Sequence, residues 1–281
     1  MTGIVLLYHP SMRSSLLYRK ILSNFPDHFS LVIQMPIFPV SRKTQRRNFF
    51  QVGSRIRNNF KLVMFYFLTI SLFNFFEKIS GNSIKSICRR NSIEHHRGKQ
   101  IDSRILKLVA AKKPAYVISS STTLLTQEFL DIPTIGTINF HEGKLPEYRG
   151  SASYFWNLYN SDRLATSTVM FVTFGLDEGP VIHEAPMRIS GLSNMFDVWM
   201  LLLLNHRQNW RYVWDFLSEA RRLPSIAQKG CAKTYSFPEA YQVRAIQDRG
   251  IRLLSLESIL VTIQFAIGLQ VCEKFRSRCV P

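Results

Sequence analysis

Ile4-Val5-Leu6-Leu7-Tyr8-His9-Pro10 is an unbroken apolar run that stops at a proline, and Ser14 to Phe25 then carries its apolar residues at helical spacing. A run without alternation suits a strand covered on both faces, the situation in parallel sheets flanked by helices. Strand followed by helix is the opening of a doubly wound sheet. Phe29 to Met35 reads as a second strand, closed by Pro36 and Pro39, neither of which can donate to a central ladder. After a polar and aromatic interval the order returns. Ile105, Leu106, Leu108 and Val109 line one helical face that stops before Pro114, and Tyr116 to Ile118 follows as a short buried strand. Thr126 to Leu130 reads as a helical turn, Ile135 to Phe140 and Ala165 to Thr173 as strands, and Phe196 to Leu217 as a long helix with four consecutive leucines, Leu201 to Leu204. No internal repeat interrupts this alternation. The expected class is therefore α/β, a Rossmann-like, mainly parallel sheet with helices on both faces. Residues 1–225 form the main domain, with an insertion at about 41–100, and residues 226–281 form a short helical appendage.

Composition agrees with a packed chain. Of 281 residues 46% are hydrophobic and 20% charged, which excludes an intrinsically disordered or low-complexity class. Lys and Arg number 36 against 19 Asp and Glu, a net charge of +17. Such an excess attracts phosphates, whether of nucleic acid, anionic lipid headgroups or a phosphorylated small molecule. The four cysteines show no CxxC pair and the amino terminus has no basic segment before its apolar run, so a reducing, cytoplasmic setting is expected. Arg42, Lys43, Arg46, Arg47, Arg55 and Arg57 make a basic stretch that leads into Leu62 to Phe76, with five phenylalanines and a tyrosine. That run reads as a helix, either packed on the domain or lying on a membrane surface beside the basic stretch. At 15 residues it is shorter than the roughly 20 that a span requires, and so is the run Ser258 to Cys272. Lys85 to Gln100, with His95 and His96, reads as an exposed basic loop. Its adjacent imidazoles point apart on any regular element and make no metal pair.

The chemistry is concentrated in Asn139-Phe140-His141-Glu142-Gly143-Lys144-Leu145-Pro146-Glu147-Tyr148-Arg149-Gly150, together with Leu176-Asp177-Glu178-Gly179-Pro180. Alternation puts Asn139 and His141 on one face of a strand at its end, where open α/β sheets bind ligands. Asp177 sits before a Gly-Pro turn able to fold back over that end. An amide suits a developing oxyanion, and an imidazole with a carboxylate suits proton movement; together they fit acyl transfer.

The pattern Asn-x-His, then Leu-Pro-x-Tyr-Arg-Gly, then a strand and Leu-Asp-x-Gly-Pro, with 38 positions from Asn139 to Asp177, resembles the folate-dependent formyltransferases. The resemblance is densest from Ile101 to Ala185. It implies 10-formyltetrahydrofolate as formyl donor, Asn139 as oxyanion donor, His141 as proton carrier and Asp177 as its positioning partner. It also implies a pteridine site along Thr123, Leu124 and Leu125 and the loop Thr173, Phe174, Gly175, Leu176. Where the family commonly has Pro-Ser-Leu after the histidine, this chain has Glu142-Gly143-Lys144. Lys144, Tyr148 and Arg149 are candidates to hold a phosphorylated acceptor, with a local ion pair as the alternative for Lys144. The loop His9-Pro10-Ser11-Met12-Arg13 lacks the Gly-Ser-rich phosphate loop expected of a glycinamide ribonucleotide enzyme. Only 56 residues follow residue 225, short of the barrel expected of a methionyl-tRNA enzyme. The resemblance therefore implies a small-molecule amine acceptor, an amino sugar of a surface-polysaccharide pathway, with nucleic acid disfavoured and peripheral membrane contact open. A methionyl-tRNA formyltransferase-like enzyme, a hydrolase with water as acceptor, and a non-catalytic, membrane-peripheral scaffold that keeps the fold are the competing readings.

Overall fold

The computed structural model describes residues 3–36, 60–120 and 125–269. The elements are β1 (Ile4–Tyr8), α1 (Met12–Asn24), β2 (Phe29–Gln34), α2 (Phe60–Ile79), α3 (Ile84–Arg90), β3 (His95–Arg97), α4 (Ser103–Ala111), β4 (Tyr116–Ser120), α5 (Gln127–Leu130), β5 (Gly136–His141), β6 (Arg149–Gly150), α6 (Ser153–Tyr159), β7 (Leu164–Phe171), β8 (Val181–Arg188), α7 (Met195–Ser218), β9 (Thr234–Tyr235), α8 (Ala240–Asp248) and α9 (Leu256–Ala266). The main sheet has the order β3-β2-β1-β4-β5-β7-β8. Its first five strands are parallel, and β7 runs antiparallel to both neighbours. The chain thus starts at the centre, winds outward through β2 and β3, and returns to β4, so the topological switch lies between β1 and β4.

Two expectations change. The segment 85–100 is not a plain loop: Ser83 caps α3 by accepting from the Ser86 N–H, and His95–Arg97 pairs with Val32–Gln34 as an edge strand. Edge position explains its polarity, since only one side is hydrogen-bonded. The other edge, β8, also went unannounced; its register includes an exposed Pro186, which an outer strand tolerates.

Unbroken apolar strands imply two covered faces, and both are present. Ile4, Leu6, Ile118, Ile138 and Phe140 pack under α1 and α7, against Tyr18, Trp210 and Val213. Val5, Leu7, Leu31, Ile33 and Val117 pack against Ile105 and Val109 of α4 and Phe129 of α5. The four leucines of α7 are all buried because this helix is itself covered: α6 and, farther out, α2, α8 and α9 share a third cluster with it. In this way Val243, Ile246, Val261 and Phe265 join one core with α7. Among the described residues no helix is long and apolar enough to cross a membrane.

Candidate active site

The carboxyl ends of β1, β4 and β5 converge on Arg13, in the first turn of α1. Its guanidinium donates to Ser120 Oγ at the end of β4, to the Phe140 carbonyl in β5, and to Glu142 Oε1 at 2.5 Å. His9 Nδ1 donates to the Ser120 carbonyl at 2.5 Å, and burial, followed by the Arg13 charge, pushes this imidazole down to about 4. The crevice at the switch point is therefore closed by a side-chain clamp, and the accessible polar groups lie one strand over, at the end of β5.

There the alternation expected from the sequence holds. Ile138 and Phe140 enter the core, Phe140 stacking on Trp210 at 4.5 Å, while Asn139 and His141 take the other face. Asn139 is half-buried, and its amide has no partner among the described residues. His141 is buried; its Nε2 donates to the Tyr148 carbonyl at 2.7 Å, and its Nδ1 lies 3.9 Å from Asp177 Oδ2. With Nε2 engaged as a donor, Nδ1 is the nitrogen that can take up a proton, and the carboxylate facing it would hold the resulting imidazolium. Gly143 makes this arrangement possible: a Cβ there would lie 2.8 Å from both His141 Nε2 and the Tyr148 carbonyl.

Asp177 adopts a left-handed conformation, φ 51°, which aspartate tolerates better than most residues. It is pinned from two sides. Its Oδ2 accepts from the Gly150 N–H at 2.8 Å, and its carbonyl accepts from Gln228 Nε2, also at 2.8 Å. Gln228 Nε2 bonds the Gly179 carbonyl as well. A Cβ on Gly179 would sit 1.7 Å from the Phe171 carbonyl, so the turn can close only with glycine. The structure thus brings Asn139, His141 and Asp177 together, as the motif reading expects. Gln228 and Arg13, the anchors of this constellation, were not singled out as site residues. No local pattern marks either, since their partners lie 49 or more positions away.

The remaining candidates divide. Thr173, Phe174, Gly175 and Leu176 form the loop before Asp177, with Phe174 70% and Leu176 47% exposed. Leu125 is buried among Val5, Leu7 and Phe129, and Thr123 and Leu124 lie outside the described residues. Lys144 pairs with Glu147 at 2.8 Å, the local ion pair weighed as its alternative. Arg149 is held by Gln228 Oε1 at 2.8 and 3.1 Å and by Glu178 at 3.2 Å. Tyr148 stacks on Tyr235 at 5.3 Å, and Asn160 Nδ2 donates to both phenolic oxygens. A cavity of about 820 Å³ opens beside this pair, with Lys144, Arg163, Lys233, Glu147, Asp162 and Glu184 in its wall.

Behind the strand end is a buried polar chain. His183 Nδ1 donates to Asn209 Oδ1 at 2.7 Å, and Asn209 Nδ2 donates to His206 Nδ1 at 2.8 Å. The latter bond makes His206 Nε2 the protonated nitrogen; it has no hydrogen-bond partner and stands 3.9 Å from Glu142 Oε1. Burial, then the charges of Arg13 and His141, keep His206 well below the ordinary histidine range, so it is neutral.

An open α/β sheet with an amide, an imidazole and a carboxylate gathered at one strand end defines a doubly wound protein with a strand-end ligand site. Residues 77–194 match the formyl transferase family model. The methionyl-tRNA formyltransferase of Clostridium tetani is 30% identical over 116 residues, 40% of this chain and 37% of that protein. The chain thus aligns with little more than a third of that relative's length. Among solved structures, a likely sugar N-formyltransferase from Mycobacterium tuberculosis superposes with a TM-score of 0.57 over 92% of this chain and 90% of its own, at 11% identity. An N-formyltransferase from Helicobacter canadensis, solved with folinic acid and dTDP-3-aminofucose, gives 0.54 over 84% and 71%, at 14% identity. These two share the fold.

Proposed function

We propose that the protein transfers a formyl group from 10-formyltetrahydrofolate to a primary amine, that of a nucleotide-linked amino sugar. The observation that carries the reading is the meeting of His141 Nδ1 and Asp177 Oδ2 beside the Asn139 amide, which has no partner among the described residues. As the amine nitrogen bonds to the formyl carbon, Asn139 donates to the oxygen that gains charge. His141 Nδ1 takes the proton the amine must lose, and Asp177 steadies the imidazolium. The same proton then goes to the folate nitrogen as its bond to the formyl carbon breaks, which returns His141 to its starting state. The exposed Phe174 and Leu176 offer an apolar ledge for a flat pteridine next to these groups.

For the acceptor, the cavity beside Tyr148 and Tyr235 has three cations and three anions in its wall, a mixed lining suited to an amphoteric amino-sugar nucleotide. The ligand pair in the Helicobacter canadensis protein, folinic acid with an amino-sugar nucleotide, supports this choice over a transfer RNA. Asp177→Asn tests the reading. It keeps the side-chain shape and the bond from Gly150, so binding of a stable formyl-folate analogue by calorimetry should persist while turnover falls at least about 100-fold. Wild-type turnover by the variant, or no saturable folate binding by the native chain, overturns the proposal.

A further inference from the structure

Helix α2 is apolar on every side, and among its described residues the buried and the exposed ones lie on opposite sides. Phe65, Thr69, Phe73 and Glu77, four residues apart, form the buried stripe, which meets Phe196 and Trp199 of α7 and Ser15 of α1. On the opposite side Phe67, Phe75 and Ile79 are 60 to 67% exposed. Helix α9 lies against α2 and repeats the pattern. Val261, Thr262 and Phe265 are buried, whereas Leu256 and Leu260 are 82% and 61% exposed, followed by Ile267 and Leu269. The two helices are tied at their carboxyl ends, where Ser80 Oγ and Asn82 Nδ2 donate to the carbonyls of Ala266 and Ile267. Both cover α1 and α7, and each turns its apolar stripe away from that layer. A soluble surface rarely gathers this much aromatic and aliphatic exposure in one place without a binding role.

Beside the pair is a groove of about 380 Å³ between α1 and α7, closed at one end by Phe265 and Leu269. Its floor is apolar, with Leu17, Leu203 and Trp210, and its rim is cationic. Arg19 is engaged with the Phe265 and Ala266 carbonyls, but Lys20, Arg207 and Arg211 are exposed and have no acidic partner among the described residues. Apolar side chains to enter the acyl boundary, with free cations beside them to meet the headgroups, are the two requirements of interfacial binding. We propose that the outer face of α2 and α9, with the Lys20, Arg207 and Arg211 rim, docks on an anionic lipid bilayer. The basic stretch Arg42 to Arg57 lies outside the described residues and is no part of the proposed surface. None of the substituted residues is among those placed at the strand end, so the test bears on membrane docking alone.

The full chain is floated with vesicles of phosphatidylcholine and with vesicles that also contain phosphatidylglycerol. Binding at least about tenfold tighter to the anionic vesicles is expected, falling as salt is added. Lys20→Glu/Arg207→Glu/Arg211→Glu should lower partition at least about 100-fold, each lost cation weakening attachment several-fold. Phe67→Ser/Phe75→Ser/Leu260→Ser should lower it to the same extent, and both variants should keep the native melting temperature because every substituted residue is exposed. Equal binding to the two vesicle types, no binding to either, or undiminished binding of the aromatic variant overturns the proposal. A dimer that the aromatic variant dissociates, without vesicle binding by the native chain, assigns the face to a second copy and overturns it too.

Discussion

The end of β5 and the α2/α9 layer depart from the average protein in opposite directions. At the strand end, charged and polar groups are withdrawn from water and held by named partners: Arg13 on Glu142, His141 on the Tyr148 carbonyl, Asp177 on Gly150 and Gln228. In the α2/α9 layer, phenylalanines and leucines remain in water. Buried polarity costs desolvation and persists where geometry is needed; exposed apolar area persists where an apolar partner is met. The first region fits the proposed role of positioning atoms, and the second the proposed role of docking on a bilayer.

The largest effect expected of this difference is on stability. Phe73 and Phe75 are two residues apart on α2, at 0% and 60% exposure. Phe73→Ala removes a buried ring and should cost about 3–5 kcal/mol in chemical denaturation, whereas Phe75→Ala should stay within about 0.5 kcal/mol. A Phe75 variant as damaged as the Phe73 variant would mean that the outer face is covered in the isolated protein.

Acid should separate the regions next. His9, held down to about 4, and His206, well below its ordinary range, are neutral in the folded protein, whereas unfolded histidine titrates near 6.5. Between these values the unfolded chain binds more protons. Stability is therefore full above about pH 6.5 and is lost as pH falls toward about 4, by something on the order of 3 kcal/mol for His9. Glu77 on α2 acts with the opposite sign. Its burial, partly offset by Ser15 and Arg19, raises its carboxyl, and a raised carboxyl contributes stability that is full in acid and lost as pH rises through its folded value. Hydrogen exchange at pH 7 and pH 4.5 should show protection falling at the ends of β1, β4 and β5 before it falls in α2. Earlier loss in α2 would contradict the assignment.

What the sequence disclosed follows the range of the interactions. Strands β1, β2, β4, β5 and β7 were legible because burial on both faces leaves apolar or β-branched runs, and Asn139, His141 and Asp177 because a family motif fixes their spacing. Strand β3 was hidden: three polar residues at an edge need no apolar signature. The outward stripe of α2 was hidden as well, since a helix apolar all round reads the same whether one side or both are covered. Glu142 stands out in the sequence only as a departure from the family's Pro-Ser-Leu. It is the partner of Arg13, 129 positions away, and a pairing of that span has no local trace.

Lys144 draws the finest distinction, between a charge that shapes the site and one that only borders it. Its amine is 54% exposed as a side chain and bonded to Glu147, three residues on. That pair raises the lysine and lowers the glutamate, against opposing desolvation, but an exposed pair contributes at most about 1 kcal/mol to the fold because water and salt screen it. Glu147 can therefore be exchanged for an acceptor phosphate at little cost, which leaves Lys144 available at the mouth of the cavity beside Tyr148. Lys144→Ala should change stability by less than about 0.5 kcal/mol and leave kcat unaltered, while KM for a nucleotide-linked amino sugar rises by up to about fivefold, the pattern of a lost contact that substrate and transition state share. Steady-state kinetics with a competent acceptor separates the cases. A fall in kcat at constant KM would place Lys144 with His141 and Asp177, in the proton transfer proposed for them, rather than at the rim of the cavity.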